Sequence, residues 1–116
     1  MVTQKTGLVL EIMFEYWTDE FASSLRRVVD PPQRVLVDLG TAIPTYAPLR
    51  RDSVQMRVKA AGLNTSETVP GLLYAWARTR DGAWLALVSF AVPTANNAGR
   101  IETRQWCPAR ALTRVE

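Results

Sequence analysis

GLLYAWARTRDGAWLALVSFAV, residues 71 to 92, is the stretch on which the fold turns. It holds two β-rich runs, GLLYAWART (71–79) and AWLALVSFAV (83–92), joined through Arg80-Asp81-Gly82. An Asp-Gly pair between two such runs is a hairpin signal, because glycine takes the positive φ that a tight turn demands. PTANNAG (93–99) then reads as a second loop and RIETRQWC (100–107) as a third strand. Beyond Pro108 the chain has room for a single turn, ARAL, and a short last strand at Thr113-Arg114-Val115.

Upstream of the hairpin the pattern is mixed. Leu8, Leu10, Ile12, Phe14 and Tyr16 alternate with polar positions, which predicts a strand over 7–17. Thr18 makes a suitable N-cap, and Phe21, Leu25, Val28 and Val29 recur at helical spacing, which predicts an amphipathic helix over 19–29. Asp30-Pro31-Pro32 should stop that helix, since proline lacks an N–H and disfavours helical geometry in the residue before it. RVLVDLG (34–40) reads as the next strand and GTAIPTYAPLRRD (40–52) as a loop. SVQMRVKA (53–60) alternates Val54, Met56 and Val58 with Gln55, Arg57 and Lys59, which predicts a half-buried strand, and 61–71 is a polar connection.

The order of a long hairpin, a loop, a strand ending in Trp106-Cys107-Pro108, one turn and a short final strand resembles the closing half of a Src-homology-3-like small barrel, over residues 53–116. That resemblance implies a one-turn 3₁₀ helix after the aromatic-x-Pro and a last strand that closes the barrel. The Ala-x-Tyr-x-Tyr type motif of the peptide-binding members is absent, so the resemblance does not extend to recognition of proline-rich peptides. The expectation is therefore a mainly β, α+β single domain over 1–116: an N-terminal β-α-β segment (1–40) packed on a five-stranded, Src-homology-3-like barrel (53–116).

Composition narrows the function. At 116 residues and 47% hydrophobic the chain is one domain with enough apolar material for a core. There is no histidine, so Ser-His and Cys-His nucleophilic systems are excluded and the commonest general base is missing. Cys107 is the only thiol, so no intramolecular disulfide and no Cys/His zinc site can form. Beside Trp106 and before Pro108 it reads as a small buried hydrophobe. No phosphate-binding glycine loop is present, and no catalytic residue, metal or cofactor is expected. Glu11 and Glu15 interrupt the N-terminal apolar run and the run at 83–92 is too short to span a bilayer, so a cytoplasmic protein with no membrane association is expected.

The basic charge is uneven. Residues 1–50 carry five basic and six acidic groups, whereas 51–116 carry nine basic and five acidic, a balance of +4. If Val54, Met56, Val58, Leu73, Leu85, Leu87 and Ile101 point into the barrel, alternation places Arg57, Lys59, Tyr74, Trp76, Arg78, Trp84, Arg104 and Trp106 on its outer faces. Guanidinium groups meet phosphates and aromatic rings stack on bases, so this mixture suits nucleic acid. The candidate nucleic-acid-binding residues are Arg57, Lys59, Trp76, Arg78 and Arg104, with loop residues Arg50, Arg51 and Arg80 extending the surface. Two other readings stand beside it. The predicted helix needs a surface on which to bury Phe21, Leu25 and Val28, and Trp76 and Trp84 supply one. The same aromatics and arginines also suit a protein partner or a homo-oligomeric contact, and a small enzyme comes third.

Overall fold

The computed structural model describes residues 13–18, 20–46 and 54–115. Its elements are a 3₁₀ turn (Ala22–Ser24), β1 (Arg26–Asp38), a short helix α1 (Leu39–Ala42), a second helix α2 (Met56–Ala61), β2 (Thr68–Arg78), β3 (Trp84–Pro93), β4 (Arg100–Pro108), a 3₁₀ turn (Ala109–Ala111) and β5 (Leu112–Arg114). The strands form one five-stranded antiparallel sheet in the order β4-β3-β2-β1-β5, and it does not close on itself. None of the described helices is long and apolar enough to cross a membrane.

The second half follows its local signals. The β2–β3 connection is tightened by Thr79 N–H donating to the Ala83 carbonyl at 2.8 Å, and Gly82 sits at φ +89, where a side chain would be strained. Thr94 N–H donates to Gly99 at 2.9 Å across the β3–β4 loop. After Pro108 comes the one-turn 3₁₀ helix, and β5 runs back to pair Val37 with Leu112 and Val35 with Arg114.

The first half departs from expectation in three places. Of the strand expected over 7–17, residues 7–12 lie outside the described residues, and 13–16 form a turn in which Trp17 N–H donates to the Phe14 carbonyl at 2.9 Å. That turn buries Phe14 and leaves Tyr16 92% exposed, although alternation had put both on one side. In place of the helix expected over 19–29, only Ala22–Ser24 turn, and Arg26, Arg27 and Val28 pair with Ala77, Trp76 and Ala75 of β2. Phe21, predicted to be buried, is 68% exposed. The apolar spacing fitted a helix, but β-branched Val28 and Val29 gain more from a long partner strand than from an isolated short helix, whose nucleation is costly. Asp30-Pro31-Pro32 is not a stop signal: it lies within β1, where the register with β2 shifts between Val28 and Gln33. Residues without an N–H are tolerated in a strand at such an irregularity.

The third departure is 53–60. Met56–Ala61 is a helix, not a strand, and none of its residues is buried; Met56 is 79% and Val58 51% exposed. Met, Arg, Lys and Ala are strong helix formers, and with no strand beside them propensity decides. The helix ends where Gly62 N–H donates to the Val58 carbonyl. Ile101, also expected to face inward, is 50% exposed.

Core residues lie on both faces of the sheet. One face carries the main core: Val35 and Val37 of β1, Leu73 of β2, Ala86, Val88, Phe90 and Val92 of β3, and Cys107 of β4, with Leu39 and Ala42 of α1 packed against them. The other carries a smaller cluster of Tyr74, Ala75 and Leu87 beneath Phe14, with Trp17, Val28 and Trp106 around it. Leu73 and Leu87, expected together inside a barrel, are both buried but belong to opposite faces.

Candidate functional site

The site is set by an irregularity in β2. Leu73 pairs with Val88 and Ala75 with Leu87, so the register shifts by one residue between them. Strict alternation would put Trp76 opposite Leu73; the extra residue returns Trp76 to the core face, where it pairs with Ala86. Arg78 and Trp84 pair directly with each other two residues further on, so Trp76, Arg78 and Trp84 emerge side by side where the sheet opens at the β2–β3 turn. The expected outer face does not hold these residues together with Tyr74, Arg104 and Trp106, which occupy the opposite face.

The two indoles meet edge to face, with centroids 6.5 Å apart and planes at 84°. Arg78 lies over the Trp84 ring at 5.4 Å and its Nε donates to the Gly82 carbonyl at 3.2 Å, so the turn fixes the guanidinium that caps the ring. Across the strand pair Arg27 is directly opposite Trp76. Arg27, Trp76, Trp84 and Ala109 line a hollow of about 300 Å³. A second hollow of about 230 Å³ shares Arg27, Trp76 and Ala109 and runs on to Gln33, Leu112 and Arg114. Together they make one groove with a half-buried indole floor, lined by Arg27 and Arg114, with Arg78 beside it over the Trp84 ring.

Arg27, Arg78 and Arg114 form no ion pair among the described residues. Among the described residues the one ion pair is Arg100–Glu102, at 3.7 Å between two exposed side chains. Cations beside an aromatic floor, with no ion-pair partner among the described residues, have charge to offer a ligand. The expected covering of Trp76 and Trp84 by a helix over 19–29 does not occur, since Arg26–Val29 is part of the sheet.

The remaining sequence candidates are dispersed. Arg50 and Arg51 lie outside the described residues. Arg57 and Lys59 project from exposed α2; Arg57 is held by its own neighbour, Nε to Gln55 Oε1 at 3.0 Å. The chain after α2 meets the sheet at the Leu63–Thr94 bridge, just past the end of β3 opposite to Trp84. Ten strand residues separate those ends, about 30 Å, so α2 and the groove are separate. Arg80 is exposed in the β2–β3 turn and borders a neighbouring depression with Arg78 and Trp17. Arg104 is on the other face, its guanidinium over the Tyr74 ring at 4.2 Å, while Tyr74 Oη and Ser89 Oγ share a hydrogen bond of 3.0 Å. Sequence reasoning missed Arg27, which it placed on a helix, and Arg114 on β5. The signal that would have found Arg27 is the β-branched pair Val28-Val29 immediately after it.

Cys107 pairs with Ala86 in the middle of the core and is 1% exposed. Burial pushes its thiol above the ordinary range, the reverse of what a nucleophile needs. Among the described residues no group of three or more acidic, cysteine or histidine side chains is placed to hold a metal ion. Comparison with protein-family models, curated proteins and solved structures found no match.

Proposed function

We propose that this chain is a non-catalytic nucleic-acid-binding module and that its ligand lies in the Arg27–Trp76–Trp84 groove. A base stacks on the indole pair while Arg27, Arg78 and Arg114 take the flanking phosphates. The observation that carries this reading is the placement of Arg27 and Arg114 along one cleft floored by two half-buried tryptophans, with Arg78 over one of the rings and none of the three in an ion pair among the described residues. A hollow of about 300 Å³ is at the small end of ligand pockets. It admits one ring system and not a duplex, which favours an unpaired nucleotide.

The fold reading that accompanies it is an open Src-homology-3-like arrangement. The order β4-β3-β2-β1-β5, and a 3₁₀ turn leading from the aromatic-x-Pro into a short strand beside β1, support it. A single buried thiol suits a reducing compartment such as the cytoplasm.

The test is fluorescence anisotropy of labelled single- and double-stranded oligonucleotides at low and high salt. Single strands should bind at micromolar concentration and weaken steeply with salt, because each phosphate contact releases counterions. Charge reversal at Arg27 and Arg78 should abolish binding, and reversal at Arg57 and Lys59 should leave it intact. Absence of binding at low salt would overturn the proposal and turn the same indole and arginine surface toward a protein partner, since Trp and Arg are also the residues of interface hot spots.

A further inference from the structure

We propose that a second copy of this chain pairs antiparallel along β4, joining two five-stranded sheets into one continuous sheet across a two-fold axis at Thr103. This goes beyond the nucleic-acid reading and does not depend on it.

The phase of the β3–β4 ladder decides which groups are available. Thr94 N–H bonds to the Gly99 carbonyl, and the alternation of an antiparallel pair then turns Ile101, Thr103, Gln105 and Cys107 toward β3. Arg100, Glu102, Arg104 and Trp106 therefore turn their backbone N–H and C=O groups outward. β4 is an edge of the sheet, and no described strand pairs with that side. Native edge strands are usually blunted by proline, lysine, a bulge or extreme shortness. β4 has nine residues with no register shift against β3, no lysine, and one proline, Pro108, at its end.

The side chains then select the partner and the register. In an antiparallel self-pairing the outward residues must oppose one another, so the two-fold axis fixes which charges meet. An axis at Glu102 would oppose Glu102 to its own copy, and an axis at Arg104 would oppose arginine to arginine. Like charges directly opposite destabilise a sheet. An axis at Thr103 opposes each Glu102 to the copy's Arg104 and each Arg100 to the copy's Trp106. An axis at Ile101 would also oppose Arg100 to the copy's Glu102 but would run Arg104 and Trp106 against the β3–β4 loop. With the axis at Thr103 every outward residue from 100 to 106 finds a partner, each pair exchanging two backbone bonds. The ion pair forms twice by symmetry, and the arginine meets an indole. In the monomer Glu102 has Arg100 at 3.7 Å on its own strand, both side chains mostly exposed, a contact weak enough to yield. A foreign strand would need this same charge order, which a second copy supplies without further selection.

Sedimentation equilibrium of the full chain from micromolar to hundred-micromolar concentration tests the proposal. The wild type should move toward twice the chain mass as concentration rises, and less so at high salt. Glu102→Arg alone and Arg104→Glu alone each put like charges opposite twice, and each should raise the dissociation constant roughly tenfold or more. The double variant Glu102→Arg, Arg104→Glu restores opposite charges and should regain dimerisation. Circular dichroism confirms that each variant is folded. A wild type that remains monomeric throughout the range overturns the proposal. So does a dimer that ignores both single variants, or a double variant no better than the singles. Because neither residue lines the Trp76–Trp84 groove, oligonucleotide binding by the single variants reports separately on the nucleic-acid reading.

Discussion

The two faces of the sheet use the same chemical pairing to different ends. On the core face Arg78 lies over Trp84, beside a second indole and an open groove; on the opposite face Arg104 lies over Tyr74, whose hydroxyl is already bonded to Ser89. Arg26, over Phe14 at 5.3 Å, repeats the second pattern. An arginine on an aromatic ring is thus a packing device on one face and the rim of a cavity on the other. Counting such pairs does not locate a site; the space left beside them does. Phe14 and Trp17 pack beside Tyr74, whereas among the described residues nothing packs over the hollow beside Trp76 and Trp84 near the β2–β3 turn.

The sharpest way to break that comparison is to truncate one phenylalanine from each face. Phe90 and Phe14 are both 5% exposed. Phe90 sits among strands that cannot close around a gap, so Phe90→Ala should cost about 3–5 kcal/mol. Phe14 belongs to a turn lying on the sheet, where collapse is easier, and Phe14→Ala should fall at or below the low end of that range. Urea denaturation of both variants gives the ranking, and equal losses would mean that the two clusters are one core.

Binding comes next in size. Trp84→Ala should weaken single-strand affinity by about 1–3 kcal/mol, and Arg27→Ala should reduce the salt slope by about one. Arg104→Ala should leave both unchanged, since Arg104 lines neither hollow of the groove. Anisotropy titrations at several salt concentrations read all three, and equal effects from Arg27 and Arg104 would erase the distinction between faces.

A smaller effect belongs to Cys107. Its folded-state pKa is raised by burial, so the neutral thiol is the form the native state holds. That contribution is fully present below the ordinary thiol pKa and is lost as pH rises through the raised folded value. Wild type should lose stability at alkaline pH relative to Cys107→Ala, measured as the difference in denaturation midpoints from neutral to strongly alkaline buffer. A constant difference would show that the thiol does not titrate with folding. Smallest of all, Arg57→Ala and Lys59→Ala on exposed α2 should shift stability by no more than about 0.5 kcal/mol and leave oligonucleotide binding unchanged.

Legibility in the sequence divides along the chain. From Leu72 to Arg114 each element carries its own punctuation: Asp81-Gly82 makes one turn, Thr94 to Gly99 another, and Pro108 the exit into a 3₁₀ turn, so local signals suffice. β1 has no such mark. Its Arg26–Val28 segment is a strand because Ala75–Ala77 lies beside it, a neighbour some fifty residues later that periodicity cannot see. For α2 the converse holds, since alternation was present but no strand was there to use it. The groove was half legible: Trp76, Arg78 and Trp84 stood out by type, but the register shift after Leu73 has no glycine or proline to announce it. The error in facing Trp76 and Arg78 followed from that one residue. Trp84 was misplaced because alternation was phased with Leu85 and Leu87 inward, whereas Ala86, Val88 and Phe90 of the same strand face the main core.

β5 is only three residues long, yet it ties Arg114 to Val35 across about 80 residues of chain, whereas each hairpin in β2-β3-β4 closes over a short loop. Contacts of such different range are made at different times. The meander can assemble first as a platform, with the β1–β5 seam added after most of the barrier is crossed. Weakening β5 should then quicken unfolding while barely slowing refolding, making this shortest strand a control on how long the native state lasts rather than on how fast it is reached.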